Sequence, residues 1–333
     1  MRSLGPLFAA FLVALVSVAC TDLGSLRDDR SLLPIRDYER QIVGRLDADY
    51  IGNEQCLAKC HKHDPIYRNF KQSVHGEQIQ ASSGLPLVNC ESCHGPGSLA
   101  VAKIDEKERC DFPTLLNLKE LPPPAQSLIC LKCHSASSTP NLQYWNASPH
   151  ASGNVSCFDC HKLHQGPQQK VNRHDTAELC YTCHQNVRME FTQYSHHPVP
   201  EHKMGCTDCH DPHGTGQEHN LKGTTVKEMC TRCHMEYQGP FVYEHADVTE
   251  DCTNCHSPHG SPNNGLLAVA QPFLCMQCHA GHLESHHPAL ASNPALNDAN
   301  LKPAFYTRCT DCHSRIHGTD IPSAKGKGNF TAR

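Results

Sequence analysis

Between His245 and His279 the chain reads His245, six residues, Cys252-Thr-Asn-Cys255-His256-Ser-Pro-His259-Gly260, and later Cys275-Met-Gln-Cys278-His279. Cysteines three apart lie on one side of a helical turn and can add to both vinyl groups of one porphyrin. The histidine that follows falls under the iron as its proximal ligand. Cys-x-x-Cys-His is the attachment signature of c-type haem.

The unit recurs along the chain. Nine regular motifs use Cys90/Cys93/His94, Cys130/Cys133/His134, Cys157/Cys160/His161, Cys180/Cys183/His184, Cys206/Cys209/His210, Cys230/Cys233/His234, Cys252/Cys255/His256, Cys275/Cys278/His279 and Cys309/Cys312/His313. A tenth, the first in order, is Cys56-Leu-Ala-Lys-Cys60-His61, one residue too long. It holds haem with altered geometry or holds none; His61 in place and the regular sites that follow favour haem. The expected cofactor is therefore ten covalently bound haem c, or nine if the Cys56/Cys60 site is vacant. Of 22 cysteines only Cys20 and Cys110 remain, and Cys110 reads as an unpaired structural thiol. A disulfide framework would not need a histidine after every second cysteine, and structural zinc spaces its histidines differently.

Sixteen of the 26 histidines lie outside the proximal positions. Internal methionines follow no pattern with the motifs, so histidine is the expected sixth ligand throughout, giving closed, low-potential irons. His75, His150, His164, His197, His213, His245, His259, His282 and His317 recur at matching offsets and are the candidate distal ligands. For the tenth iron the candidates are His63 and His174, while His202, His219, His286 and His287 read as loop residues. A histidine three residues after a proximal one cannot readily fold back on the same iron, so it should serve a neighbouring one.

Two classes of site alternate. Cys157, Cys206 and Cys252 have a histidine upstream and a His-Gly-type histidine downstream, with spacings of 49 and 46 residues. Cys130, Cys180, Cys230 and Cys275 follow an apolar residue, with spacings of 50, 50 and 45. A near-fixed period means a modular, quasi-linear build. Aromatics make up only 6% of the 333 residues, so porphyrins must supply much of the apolar bulk. The expected fold is a multihaem cytochrome c: short helices and loops wrapped round a linear haem chain, in two pentahaem halves, without substantial sheet.

Residues 1–19 read as an export signal, with Arg2 before the apolar run Leu7–Val18, which is too short to span a bilayer. Cys20 follows the cleavage position; it is either lipidated or a stray thiol, since Ser17 stands where a lipobox prefers leucine. Residues 20–50 read as a charged tether with a short helix over Asp37–Leu46, 51–190 and 191–320 as the two halves, and 321–333 as a disordered tail. Leu121-Pro122-Pro123-Pro124 reads as a stiff linker. The net charge of −5 describes the chain without haem, and with no basic patch of interleaved aromatics nothing points to a nucleic-acid partner.

The ten motifs, the Cys-His-x-Pro-His-Gly trailers at His213 and His259, the lead-in Glu244-His245-x-x-Val248-Thr249-Glu250 and the final Cys312-His313-Ser-Arg-Ile-His317-Gly318 are similar to those of the MtrA/MtoA/PioA/DmsE family. These are decahaem c-type cytochromes of outer-membrane porin–cytochrome conduits. The resemblance covers residues 50 to 320. It implies bis-histidine haems and an electron wire threaded into a β-barrel porin. Its expected partners are periplasmic carriers inside, and a mineral, extracellular multihaem cytochrome or reductase outside. It places the chain in the periplasm at the outer membrane. The first motif's extra residue and the Gly95-Pro96-Gly97-Ser98 stretch, which lacks a histidine some relatives carry, depart from the family pattern. The competing readings are a soluble periplasmic electron shuttle and a multihaem oxidoreductase with an open iron. No catalytic residue is assigned, since every motif ends in histidine.

Overall fold

The computed structural model describes residues 42–61, 65–78, 82, 87–105, 109–164, 173–245, 251–279 and 308–331. The export signal, Cys20, most of the tether, His63, His282, His286 and His287 lie outside the described residues, and of the helix expected over Asp37–Leu46 the described part, residues 42–46, is helical only at 42–43. Contacts divide the chain into two units, Met1–Cys60 with Cys90–Leu118, and His61–Asn89 with Lys119–Arg333.

The first unit is built from α1 (Asn53–Lys59), α2 (Cys90–His94) and α3 (Ser98–Ala102). Glu91 is its anchor. This carboxylate is 3% exposed and accepts the backbone N–H groups of Ile51 and Gly97, each at 2.9 Å, and of Gly52 at 2.8 Å. Asn53 Oδ1 accepts the Cys90 N–H at 2.8 Å, tying the start of α1 to the second motif.

The second unit consists of short helices joined by turns. Among them are α4 (Pro123–Leu131), α5 (Cys157–Cys160), α6 (Arg173–Tyr181), α7 (Gln185–Glu190), α8 (Cys206–Cys209), α9 (Val226–Thr231) and α10 (Phe273–Met276). The two sequence classes of motif correspond to two settings. Cys130, Cys180, Cys230 and Cys275 lie at the C-terminal ends of α4, α6, α9 and α10, whereas Cys157 and Cys206 open one-turn helices. Cys252 and Cys309 open 3₁₀ turns in the same way. Asp159 and Asp208 close α5 and α8 by accepting the N–H of Ser156 at 2.7 Å and of Gly205 at 2.8 Å.

The proline segment differs from its reading as a linker. Pro122 caps α4 and Pro123 opens it, because a fixed φ near the helical value and a missing N–H cost nothing in a first turn.

The only described sheet pairs β1 (Ser195–His196) with β2 (Gly260–Ser261), antiparallel. Eleven apolar residues are buried among those described, and the cluster of Ala177, Tyr181, Phe191 and Val199 is small for so long a chain. That cluster draws residues from both sides of the 190/191 boundary expected between pentahaem halves.

The tail also differs. Arg315 N–H donates to Phe330 O, Asn329 N–H to Ile321 O, and Tyr243 and Thr319 exchange backbone hydrogen bonds, so the chain through residue 331 is folded. Its turn residues form hydrogen bonds that composition alone does not reveal. Among the described residues no helix is long and apolar enough to cross a membrane.

Candidate haem-binding sites

Each described proximal histidine from the third motif to the ninth faces one candidate distal histidine. Ring centres lie 6.0 Å apart for His134 and His75, 6.2 Å for His161 and His213, and 6.1 Å for His184 and His150. They lie 6.1 Å apart for His210 and His259, 6.2 Å for His234 and His197, 6.2 Å for His256 and His317, and 5.8 Å for His279 and His245. With a metal–imidazole bond of about 2.0–2.1 Å and a ring nitrogen roughly 1.1 Å from its ring centre, two imidazoles on opposite sides of one metal have centres about 6.2–6.4 Å apart. The gaps, 5.8 to 6.2 Å, lie at or within about 0.4 Å of that spacing, so the residues fit haem.

The second nitrogen of many rings is anchored. His150 Nδ1 donates to Pro212 O at 2.8 Å, His197 Nδ1 to Pro258 O at 2.5 Å, His210 Nδ1 to His219 O and His256 Nδ1 to Gly265 O, each at 2.7 Å. His94 Nδ1 contacts Leu116 O at 3.2 Å in the first unit. His259 Nδ1 lies 2.9 Å from Glu190, and His213 Nδ1 3.1 Å from Asp211. An Nδ1–H donated in this way leaves Nε2 as the metal-binding nitrogen and fixes the ring's orientation. Partial burial pushes His75, His161, His210 and His317 below the usual imidazole range, and a neighbouring imidazole adds to each shift. That favours the neutral, metal-ligating form.

The pairs obey one rule. A histidine leading into an even-numbered motif faces the proximal histidine of the odd motif that follows it: His75 that of the third, His150 of the fifth, His197 of the seventh and His245 of the ninth. A histidine trailing an even motif faces the proximal histidine of the preceding even one: His213 that of the fourth, His259 of the sixth and His317 of the eighth. The Pro-His dipeptides join the two series. Pro212 O orients His150 while His213, its neighbour, faces His161; Pro258 and His259 repeat this with His197 and His210.

The glycine ending each trailer is a packing requirement. A Cβ on Gly214 would press on the Tyr144 carbonyl and Ser148, and one on Gly260 would enter the Glu190 carbonyl. Buried serines set the lead-ins: Ser148 Oγ accepts Ala151 N–H at 3.2 Å and Ser73 Oγ accepts Gly76 N–H at 3.2 Å, capping the turns that carry His150 and His75.

The motif cysteines form a second chain of contacts. Thiols of the first cysteines interact in the pairs Cys130–Cys157, Cys180–Cys206, Cys230–Cys252 and Cys275–Cys309. Hydrogen bonds from the partner thiol hold Cys157 down at about 6 and Cys206 and Cys252 at about 7, while Cys180 and Cys230 are pushed up. Burial, then Cys309, raises Cys275 to about 11. Second cysteines interact in the pairs Cys160–Cys183, Cys209–Cys233 and Cys255–Cys278. Alternating between the two kinds of pair connects the third motif to the tenth in sequence order. In the first unit Cys56 and Cys90 make the same first-cysteine pair.

Two readings of single residues change. Cys110 is not a free thiol, because it is bonded to Cys60, with Cα atoms 5.8 Å apart. Cys60, expected to carry haem, therefore has another partner. Cys93 and Cys133, also expected as second haem cysteines, differ from Cys60 in forming no disulfide. Cys93 is half-buried in α2, directly before His94. Cys133 is exposed just beyond the end of α4, where its N–H donates to the Cys130 carbonyl at 3.1 Å.

Of the other candidates, His164 keeps the sequence offset of His213 and His259 from their motifs. His174 stands at the start of α6 with its side chain outside the described set. Sequence reasoning missed the ring anchors Pro212, Pro258, His219, Gly265 and Leu116, which act through backbone carbonyls and give no residue-type signal; His219, read as a loop residue, is one of them.

The model of a doubled Cys-x-x-Cys-His motif matches residues 148–189, 196–239 and 245–284, three of the alternating pairs described above. The chain is also 33% identical over 279 residues to the multihaem cytochrome MtrA of Shewanella baltica strain OS185, covering 82% of this chain and 80% of that one. The chain belongs to the MtrA family of multihaem cytochromes. Like other MtrA-type cytochromes it binds haem c covalently and works as an electron carrier, not as a catalytic enzyme.

Proposed function

We propose that this MtrA-type chain binds ten haems in sequence order and carries electrons between the periplasm and the cell exterior within an outer-membrane β-barrel porin. The observation carrying this reading is the exchange of histidines between motifs one or two places apart, which runs without a break from the third motif to the ninth. Haem bound at such sites supplies one-electron redox chemistry, at low potential because histidine and not methionine takes the sixth position.

The protein's own residues hold the rings. Proximal and distal imidazoles close both faces of each site, the Nδ1 anchors fix their orientation, and the trailers tie each even motif to the even motif before it. A structure cross-linked in this way changes little between oxidation states, which favours fast transfer over a membrane about 40–45 Å thick including headgroups. The partners that fit are the porin, periplasmic electron carriers at one end, and an extracellular cytochrome, reductase or mineral at the other.

The test uses outer membranes solubilised in mild detergent and reconstituted into vesicles enclosing a redox dye. Dithionite added outside should bleach the dye, and the chain should co-isolate with a β-barrel. Recovery of the chain alone from the periplasmic fraction, with vesicles that do not bleach, would replace this reading with a soluble shuttle.

A further inference from the structure

We propose that Cys60 is a disulfide cysteine and not a haem cysteine, so that the first site attaches its haem through the single thioether of Cys56. This rests on the reading that the first site holds haem, and it follows from backbone register.

In eight regular motifs the N–H of the proximal histidine donates to the carbonyl of the first cysteine, at 2.8 to 3.1 Å, as in His161 to Cys157 and His234 to Cys230. In the first motif the N–H that reaches the Cys56 carbonyl, at 3.0 Å, is that of Cys60. Cys60 thus occupies the backbone place of a proximal histidine, and Lys59 that of a second haem cysteine. One residue of helix is a rotation of about 100°. The extra residue therefore turns the Cys60 thiol away from the side on which the second vinyl group is met elsewhere.

What the thiol meets instead is a prepared partner. Cys110 is buried, and its loop is pinned on both sides: Asp111 N–H donates to Ala100 O at 3.1 Å, and Arg109 pairs with Asp105 at 2.8 Å. The Cα separation of 5.8 Å lies inside the commonest disulfide range of about 5.5–6 Å. Cys56 keeps the relation of a haem-bearing cysteine, since its thiol pairs with Cys90 as Cys180 pairs with Cys206 and Cys230 with Cys252.

The chemistry balances. The Cys56 S–H adds across one vinyl double bond, sulfur to one carbon and hydrogen to the other, with no net oxidation. Cys60 and Cys110 lose two protons and two electrons to a protein disulfide donor of the export compartment by thiol–disulfide exchange. The second vinyl group of that haem stays unsaturated.

The test is intact mass and peptide mapping of the haem-loaded full chain, alkylated without reduction. Ten haem masses, a haem peptide modified at Cys56 alone, and a cross-linked Cys60–Cys110 peptide are expected. The variant Cys60→Ser should keep all ten haems, and Cys56→Ser should lose one. Ten haems with thioethers at both Cys56 and Cys60, and Cys110 alkylated, would overturn the proposal while leaving the ten-haem reading intact. Nine haems with Cys56 alkylated would overturn both.

Discussion

Removing the carboxylate of Glu91 gives a graded test of how the first unit is held. Oε1 accepts two N–H groups, from Ile51 and Gly97, and Oε2 accepts one, from Gly52. Gly97 is buried and Ile51 and Gly52 are half-buried, so water can repair only part of the loss. A stranded buried donor costs about 1–3 kcal/mol. Taking about 2 kcal/mol for Gly97 and about 1 kcal/mol for each of the others, Glu91→Ala should cost about 4 kcal/mol, roughly a thousandfold in the opening equilibrium. Glu91→Gln keeps Oε1 in place and sets its amide group against the Gly52 N–H, so it should cost about 1–2 kcal/mol, on the order of tenfold. Native-state hydrogen exchange at Ile51, Gly52 and Gly97 reads both, with Ser148 in the second unit as an unaffected reference. Equal effects from the two substitutions, or unchanged protection in Glu91→Ala, would refute the reasoning.

Replacing His213 by alanine should turn one iron, that of the Cys157/Cys160 motif, high-spin in the electron paramagnetic resonance spectrum and leave the His210 site low-spin; the reverse would refute the exchange of ligands. Gly260→Ala should lower stability by about 1–3 kcal/mol, because the new methyl displaces the Glu190 carbonyl and loosens Glu190 from His259; an unchanged melting temperature counts against that packing. The His196 pKa is raised, first by its hydrogen bond to Glu201 and then by the Gln193 carbonyl. Its contribution to stability is therefore complete below the unfolded value of about 6.5 and is lost as pH rises through the folded value. Glu201→Gln should bring the imidazole titration, followed by NMR, down toward that reference, and titration of the parent protein at or below it contradicts the pairing.

Much of the site was legible because haem attachment fixes residue types at fixed spacing. Cys157, Cys160 and His161 announce themselves, and the offsets of His213, His259 and His317 mark them as candidate ligands. Which proximal histidine each one faces was not legible. His213 is three residues from His210 in sequence, yet it faces His161, and only folding reveals that. The anchoring carbonyls of Pro212 and Pro258 were invisible for a different reason: every residue has a carbonyl. The Cys60–Cys110 bond was hidden because the motif's extra residue fits two explanations until the helix register separates them. The fold followed from composition, since a chain so poor in large apolar residues builds, among its described residues, the small cluster around Tyr181 and Phe191. The tail's glycines and lysines resemble a disordered segment, while its described residues make backbone hydrogen bonds, Asn329 N–H to Ile321 O and Arg315 N–H to Phe330 O.

An electron cryo-microscopy map of the haem-loaded chain, fine enough to place imidazoles, tests the central claim most directly. It should place one iron between His161 and His213 and another between His184 and His150, with Pro212 carrying the turn between the two distal rings. Irons in which His213 or His150 faces solvent, or in which the sixth ligand comes from the same motif as the fifth, would contradict it.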